Sequence, residues 1–275
     1  MDIKVISSFN QDGYNLYGRE FIKSFVKNWP KEVDLHLFVG DDITHDTIKE
    51  ILDISNKIQI DPLSFHQLSD FIRRSTRVWI TQAGRKCDAR GRIYTNDEVK
   101  YSIKYDAVKF AYKTFAIING TKTTDYDVVL WLDADTITHS QITMDTLKSW
   151  LDLDVYTRYL GREQNPKPQY PECGFVQYNV KHPIHKEFMS TWLSYYVNDR
   201  VYELDEWHDS WVYDHIRRDL NVPSRSWTEH MPNATTHPFV QVFGKWMDHK
   251  KGPRKHSRTQ THELIEAPKN DYWKN

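Results

Sequence analysis

Cysteine is scarce. The 275 residues contain only Cys87 and Cys173, too few for a disulfide scaffold in a chain of this length and in keeping with a reducing compartment. Long hydrophobic runs are missing too: the longest are strand-sized, as at residues 128–132, whereas crossing a bilayer takes roughly 20 continuous apolar residues. The opening Met1-Asp2-Ile3-Lys4-Val5-Ile6-Ser7 has no basic stretch leading into a sustained apolar segment, so no cleaved leader is read there and a cytoplasmic protein is expected. On that expectation the two acceptor sequons at Asn119 and Asn233 are chance occurrences, since they matter only in a secretory compartment. Charge of one sign is absent as well. The 37 Lys plus Arg against 38 Asp plus Glu leave a net charge of −1, which argues against a generic nucleic-acid binder. What is present excludes disorder: 39% of residues are apolar and 14% aromatic. The length suits one large sheet-based domain.

Periodicity then organises the chain. Residues 3–9 read as a buried strand and residues 17–29 as a helix with Phe21, Ile22, Phe25 and Val26 on one stripe, stopped by Pro30. Residues 34–40 repeat the strand signal, 46–52 read as a short helix, and 57–60 as a third strand. Such alternation predicts a Rossmann-like α/β fold, a mostly parallel central sheet flanked by helices, because parallel strands need long crossovers that helices fill. Between residues 75 and 98 the rhythm breaks. Seven basic residues from Arg73 to Arg92, with Gly84 and Gly91, read as a basic loop, either a solvated surface or a mobile flap that meets an anionic ligand such as a nucleotide diphosphate. Residues 99–118 carry the strongest helical pattern in the chain.

Chemistry concentrates in four segments. The apolar run Val128-Val129-Leu130-Trp131-Leu132 ends in Asp133-Ala134-Asp135. Side chains two apart in an extended segment share a face, so both carboxylates are expected at the carboxyl edge of the sheet, where open α/β folds place ligands. A divalent cation, Mn²⁺ or Mg²⁺, is the natural neutraliser of such a pair; the plainer alternative is an Asp pair capping the next turn. The second segment, Glu172-Cys173-Gly174 and onward, places a glycine inside a strand, which means either close approach of a ligand or backbone, or a plain packing glycine. In the third, Asp209 lies between Trp207 and Trp211 at a helix start; it is either a cap or a carboxylate beside an aromatic wall suited to a sugar. The fourth, residues 249–255, combines His249, Gly252 and Lys255 in one loop. The imidazole is a ligand for a borderline ion and the cations suit a departing diphosphate, unless the stretch is merely a solvated basic tail.

Together the four segments resemble the GT-A-type glycosyltransferases, and most closely the glycogenin-like retaining family. That family has a nucleotide-binding βαβ half, a D-x-D after a hydrophobic strand, and a late H-x-x-G-x-x-K loop, matched here by residues 3–40, 133–135 and 249–255. The family follows its lysine with Pro-Trp, where this chain has His256-Ser257. The resemblance implies a single domain over residues 1–275, with a nucleotide-binding half (1–135), an acceptor and sugar-binding half (136–258) and a tail (259–275). It implies a metal held by Asp133, Asp135 and His249, with Asp133 also on the ribose, and a donor diphosphate met by Gly252, Lys255 and Lys113. It further implies a base and ribose loop that includes Ser7 and Tyr14, a sugar pocket lined by Glu172, Cys173 and Gly174 with Trp207 as its wall, and Asp209 beside the transferred sugar as the catalytic residue. The expected partners are a nucleotide-sugar donor, such as a UDP-sugar, and a carbohydrate or other hydroxyl acceptor.

Two other functions remain open on sequence. A sugar nucleotidyltransferase would share the sheet and the acidic site but should carry a Gly-rich basic loop directly after the first strand, and only Gly13, Gly18 and Arg19 follow Phe9. A non-catalytic carbohydrate-binding protein would account for the 10 Trp and 16 Tyr, although aromatic residues also build cores.

Overall fold

A seven-stranded sheet runs through the computed structural model, which describes residues 1–122, 125–162, 170–231, 237–251 and 254–255. From the N-terminus, β1 (Ile3–Phe9) leads through α1 (Gln11–Gly13) and a π-helical turn (Tyr14–Gly18) into α2 (Arg19–Asn28). Next come β2 (Asp34–Val39), α3 (His45–Ile54), β3 (Gln59–Pro62) and α4 (His66–Arg74). Four short strands follow, β4 (Val78–Ile80), β5 (Lys86–Asp88), β6 (Arg92–Tyr94) and β7 (Val99–Tyr101). The chain continues through α5 (Ala107–Gly120), β8 (Val128–Leu132), β9 (Thr136–Thr138), α6 (Met144–Trp150), β10 (Thr157–Leu160) and β11 (Glu172–Asn179). It then passes through α7 (His185–Val197), α8 (Asp209–Asp219), β12 (Ser224–Ser226), α9 (Pro238–Phe243) and β13 (Met247–His249).

The large sheet has the order β12-β10-β11-β8-β1-β2-β3. The pairs β8–β1, β1–β2, β2–β3 and β10–β12 are parallel, and β11 runs antiparallel to both of its neighbours. This is the mixed α/β class that the alternation predicts. Both faces are buried. Along β8, Val129 and Trp131 enter one apolar cluster with residues of α4, α5, α7 and α8, while Val128, Leu130 and Leu132 enter the other with residues of α2, α3, α6 and α9. Each large side chain so buried contributes roughly 1.5–3 kcal/mol. The continuous apolar run at 128–132 is the mark of a strand covered on both sides.

Residues 75–98 differ from the expected loop. β4 to β7 form a separate four-stranded antiparallel sheet. Its alternation is short, three residues per strand, and is interrupted by glycines at positive φ: Gly84 (73°) and Gly91 (75°), the conformation glycine adopts without steric cost. One face turns inward, with Trp79 stacked on Tyr202 at 4.2 Å and Cys87 buried. Two of the seven cations belong to α4 instead. The helix expected from residue 99 begins at Ala107, because Val99–Tyr101 pairs with β6 and the Asp106 carboxylate caps α5 by accepting from Lys109 N at 3.0 Å.

Candidate functional site

Strand polarity assembles the site. Parallel β1 and β8 end at the same edge of the sheet, and antiparallel β11 begins there, so Asp133, the helical segment after β1 and residues 172–174 meet. The Asp133 N–H donates to the Gly174 carbonyl at 2.9 Å, and Thr136 N donates back to the Asp133 carbonyl at 3.1 Å. The two aspartates therefore converge through a turn closing β8 and not through continued extension. A two-stranded ribbon completes the arrangement: β13 pairs antiparallel with β9, setting His249 opposite Thr136.

His249 Nε2 lies 2.9 Å from Asp135 Oδ1 and 3.4 Å from Asp133 Oδ2. Among the described residues, Asp133, Asp135 and His249 are the one group of three or more metal-capable side chains, with ligand atoms all within 4.8 Å of one another. Gly174 makes room for the imidazole. A Cβ at 174 would stand 2.6 Å from His249 Nδ1 and 2.9 Å from Glu172 Oε1, so the strand glycine is explained by close approach of the His249 side chain.

Cations frame the carboxylates. Lys113 Nζ lies 2.8 Å from Asp133 Oδ1 and 2.7 Å from Asp209 Oδ2, and it donates to the Cys173 carbonyl at 2.8 Å. Burial alone would lower its pKa, but Asp133 and Asp209 overcome this and raise it well above the ordinary lysine value. Lys255 Nζ sits 2.7 Å from Asp135 Oδ2. Burial would raise the Asp135 pKa, yet His249 and Lys255 hold it well below the usual carboxylate range. The site thus keeps Asp135 ionised beside charged lysines in a mostly buried setting.

The other expected site residues divide. Asp209 opens α8, where the helix N-terminus favours an acid, and Lys113 links it to Asp133. Glu172 is buried as a junction: it accepts from Gly174 N at 3.0 Å, pairs with Lys251, Arg162 (3.3 Å) and His237 (3.2 Å), and faces His249 Nδ1 at 3.7 Å. It ties β11 to the 249–255 loop. Burial pushes the Cys173 thiol up, which keeps it neutral. Ser7 is fully buried and its hydroxyl donates to the Leu132 carbonyl at 2.6 Å, so it joins β1 to β8 and offers no ligand surface. Tyr14 is likewise buried, its ring 5.8 Å from Phe9. Trp207 is core, its indole N–H donating to the Leu204 carbonyl at 3.1 Å. Gly252 lies outside the described residues.

Three contributors escape the sequence reading. Tyr17, three residues beyond Tyr14, takes the place at the site: Lys255 Nζ is 4.9 Å from its ring centre. The π-helical turn at 14–18 rotates the face in a way that helical periodicity alone does not predict. Trp131 donates its indole N–H to Asp133 Oδ1 at 2.6 Å; the i, i+2 spacing after a strand is its only sequence signal. Tyr170 packs its ring 5.9 Å from Trp211 and 4.4 Å from His208, so the partly exposed aromatic wall next to Asp209 comprises Tyr170 and Trp211 in place of Trp207.

No protein-family model and no curated protein matches the sequence. Solved structures do match in shape. An active-site mutant of LgtC superposes with a TM-score of 0.53 at 15% identity, over 98% of this chain and 99% of that one. The galactosyltransferase LgtC in complex with donor and acceptor sugar analogues gives 0.51 at 13% identity over the same shares. The apo bifunctional glycosyltransferase WbbM gives 0.47 at 12% identity, over 82% of this chain but only 38% of WbbM, so the chain spans well under half of that protein's length. The likeness to LgtC establishes a shared fold.

Proposed function

We propose that this chain is a metal-dependent glycosyltransferase of GT-A type, moving a sugar from a nucleotide diphosphate donor, a UDP-sugar, to a hydroxyl acceptor. The observation that carries this reading is the convergence of Asp133, Asp135 and His249 at the carboxyl edge of the sheet, with Lys113 and Lys255 alongside. LgtC, which shares the fold, binds donor and acceptor sugar analogues. The glycogenin-like placement and the division into a donor half at 1–135 and an acceptor half at 136–258 belong to the same proposal. The segment after β1 supports transfer over nucleotidyl chemistry, since it is helical from Gln11 and forms no glycine-rich phosphate loop. Both cysteines are free and buried, which supports the cytosol as its compartment, and no described helix is long and apolar enough to cross a membrane.

The donor set fits a divalent cation. It offers carboxylate oxygens and one imidazole nitrogen, and His249 Nε2 is the ring nitrogen aimed at both acids, while its buried Nδ1 has no hydrogen-bond partner among the described residues. Mixed oxygen and nitrogen ligands suit Mn²⁺, and the carboxylates also suit Mg²⁺. When bound, the ion supplies positive charge that makes the nucleoside diphosphate a better leaving group. The protein's own residues do the rest. Lys255 and Lys113 present fixed ammonium groups to the anion that forms as the bond from the anomeric carbon to the phosphate oxygen breaks. Lys113 also holds the Asp209 carboxylate in place, so Asp209 orients the sugar, and Trp211 with Tyr170 offers rings for its apolar face. The acceptor oxygen then bonds to the anomeric carbon, and its proton passes to the departing diphosphate oxygen or to water.

Incubation with a panel of UDP-sugars, with Mn²⁺ or with chelator, tests this directly. UDP release is expected only with metal and should fall at least 100-fold in Asp135→Ala. Chelator-insensitive turnover, or full activity in that variant, would overturn the reading. Pyrophosphate release from a nucleoside triphosphate would favour a nucleotidyltransferase, and sugar binding indifferent to both metal and nucleotide would favour a non-catalytic binding protein.

A further inference from the structure

The β4–β7 sheet carries a surface that the proposed transfer reaction does not use. Directly paired residues of antiparallel strands share a face, so the register sorts the side chains. Ile80, Lys86, Tyr94 and Val99 form one row across the four strands, and Val78, Asp88, Arg92 and Tyr101 form the next. Trp79, Cys87 and Ile93 lie on the opposite, inward face and pack against the core. The outward rows are unusually apolar for a solvated surface: Ile80 is 69% exposed, Tyr101 60%, Val99 56% and Val78 53%, with Ile103 beside them. Isolated exposed aliphatic residues need no explanation, but a cluster on one small sheet does.

The same module is cationic. Residues 77–104 hold seven Lys or Arg against three acids, in a chain whose net charge is −1. The one acid in the outward rows, Asp88, is neutralised in place by Arg92 at 2.6 Å and by the Tyr94 hydroxyl at 2.9 Å. Arg77, Arg85, Lys86 and Arg90 have no ion-pair partner among the described residues. At the turn end of the sheet, Arg85, Lys86 and Lys100 line a cleft of about 590 Å³ together with Tyr94, Thr95 and Asn96.

We infer that this face is a docking surface for an anionic membrane, with the aliphatic row entering the headgroup boundary and Arg85 and Lys86 receiving phosphate headgroups. Exposed aliphatic and tyrosine side chains beside unpaired cations, here Lys86 in the row and Arg85 at its turn end, are the composition that interfacial binding requires. A second copy of the chain is disfavoured, since two such faces would oppose like charges. A saccharide is disfavoured as well: Ile80, Val78 and Val99 are branched aliphatics, and the Tyr94 and Tyr101 hydroxyls already donate to Asp88 and Asp106. The module is also anchored rigidly: Lys104 pairs with Glu206 at 2.5 Å, its carbonyl accepts from Trp207 N at 2.7 Å, and Gln82 donates to the Glu203 carbonyl at 2.7 Å. Those contacts fall in the segment just before Asp209.

Vesicle sedimentation with the full chain tests this without any enzymatic readout. The protein is expected to pellet with phosphatidylcholine vesicles containing about one third phosphatidylglycerol, not with phosphatidylcholine alone, and binding should weaken as salt screens the headgroups. Arg85→Ala/Lys86→Ala should weaken partitioning on the order of tenfold, and Ile80→Asp/Val99→Asp, at exposed positions that leave the core intact, should abolish it. The control Lys31→Ala/Lys57→Ala, which removes two exposed cations elsewhere, should bind as the unmodified chain does. Absence of binding to anionic vesicles, or equal binding by all variants, would overturn the inference. Concentration-dependent dimerisation that is lost in Ile80→Asp/Val99→Asp, without vesicle binding, would instead assign the face to a second copy.

Discussion

At position 174 a side chain has nowhere to go, because His249 and Glu172 already occupy the space a Cβ would need. Gly174→Ala should therefore displace the imidazole while leaving the sheet intact. We expect Mn²⁺ affinity measured by calorimetry to fall about 10- to 100-fold, the range for disturbed support of a metal ligand, with an overpacking cost of about 1–3 kcal/mol in denaturant unfolding; unchanged affinity would refute the arrangement. Lys113 is the opposite case, a largely buried cation holding the buried Asp209 and the partly exposed Asp133. Lys113→Met leaves Asp133 and Asp209 without it, and breaking a buried pair in this way costs about 3–5 kcal/mol, which denaturant unfolding would register. The folded-state pKa of Lys113 is raised, so its stabilisation is complete below the unfolded value of 10.5 and is lost only as pH climbs through the still higher folded value. The deficit of Lys113→Met relative to the unmodified chain should thus be constant from mildly acidic to mildly alkaline pH. Trp131 and Tyr17 were illegible in the sequence for a plain reason: their roles come from the turn that follows β8 and the π-helical turn that follows β1, neither of which leaves a periodic mark.

Among the elements, β8 and the basic module show where pattern reading succeeds and where it fails. Five apolar residues ending in two acids identify a central strand and the end that carries the candidate site, because burial on both faces and a charged terminus are local properties. The four strands at 78–101 were hidden because three-residue strands carry too little alternation to outweigh their arginines and glycines. Arg74, at the end of α4, belongs to neither a flap nor a ligand. It donates to the Tyr196 and Val197 carbonyls at 3.2 and 2.9 Å and pairs with Asp199 at 3.1 Å, closing the C-terminal end of α7 where Asp199 holds φ at 58°. Arg74→Ala removes charge-assisted bonds to helix carbonyls and should cost about 1–3 kcal/mol in denaturant unfolding, with turnover per folded molecule unchanged. A loss of activity exceeding the loss of folded protein would place Arg74 at the site after all.

For the whole molecule, the buried histidines set the acid limb of stability. His237 is held down to about 4 by burial and the nearby Lys251 charge, against 6.5 when unfolded, and burial also lowers His36 and His185. Below an unfolded pKa of 6.5 the denatured chain takes protons that the native one refuses, so stability falls progressively as pH drops from about 6.5 to about 4, by about 3 kcal/mol for His237 alone. The melting temperature should begin to decline near pH 6.5, before ordinary carboxylates titrate; a curve flat down to about pH 4.5 would contradict this. Metal acts in the other direction. Mn²⁺ at 100 times its Kd should add about 2.7 kcal/mol, a rise of at least about 5 °C in a thermal scan that Asp135→Asn should abolish. Sequence by itself determined the alternating α/β class, the central strand, the paired aspartates and the late histidine loop, because apolar periodicity and clustered charge are local. Tertiary structure alone decided that His249 meets the aspartates through β13 and β9, that Lys113 joins Asp133 to Asp209, that Glu172 is a clamp, and that Ser7, Tyr14 and Trp207 serve the core. Those outcomes depend on strand polarity and register between segments far apart in the chain, and a linear pattern carries no information about which distant backbone lies alongside it.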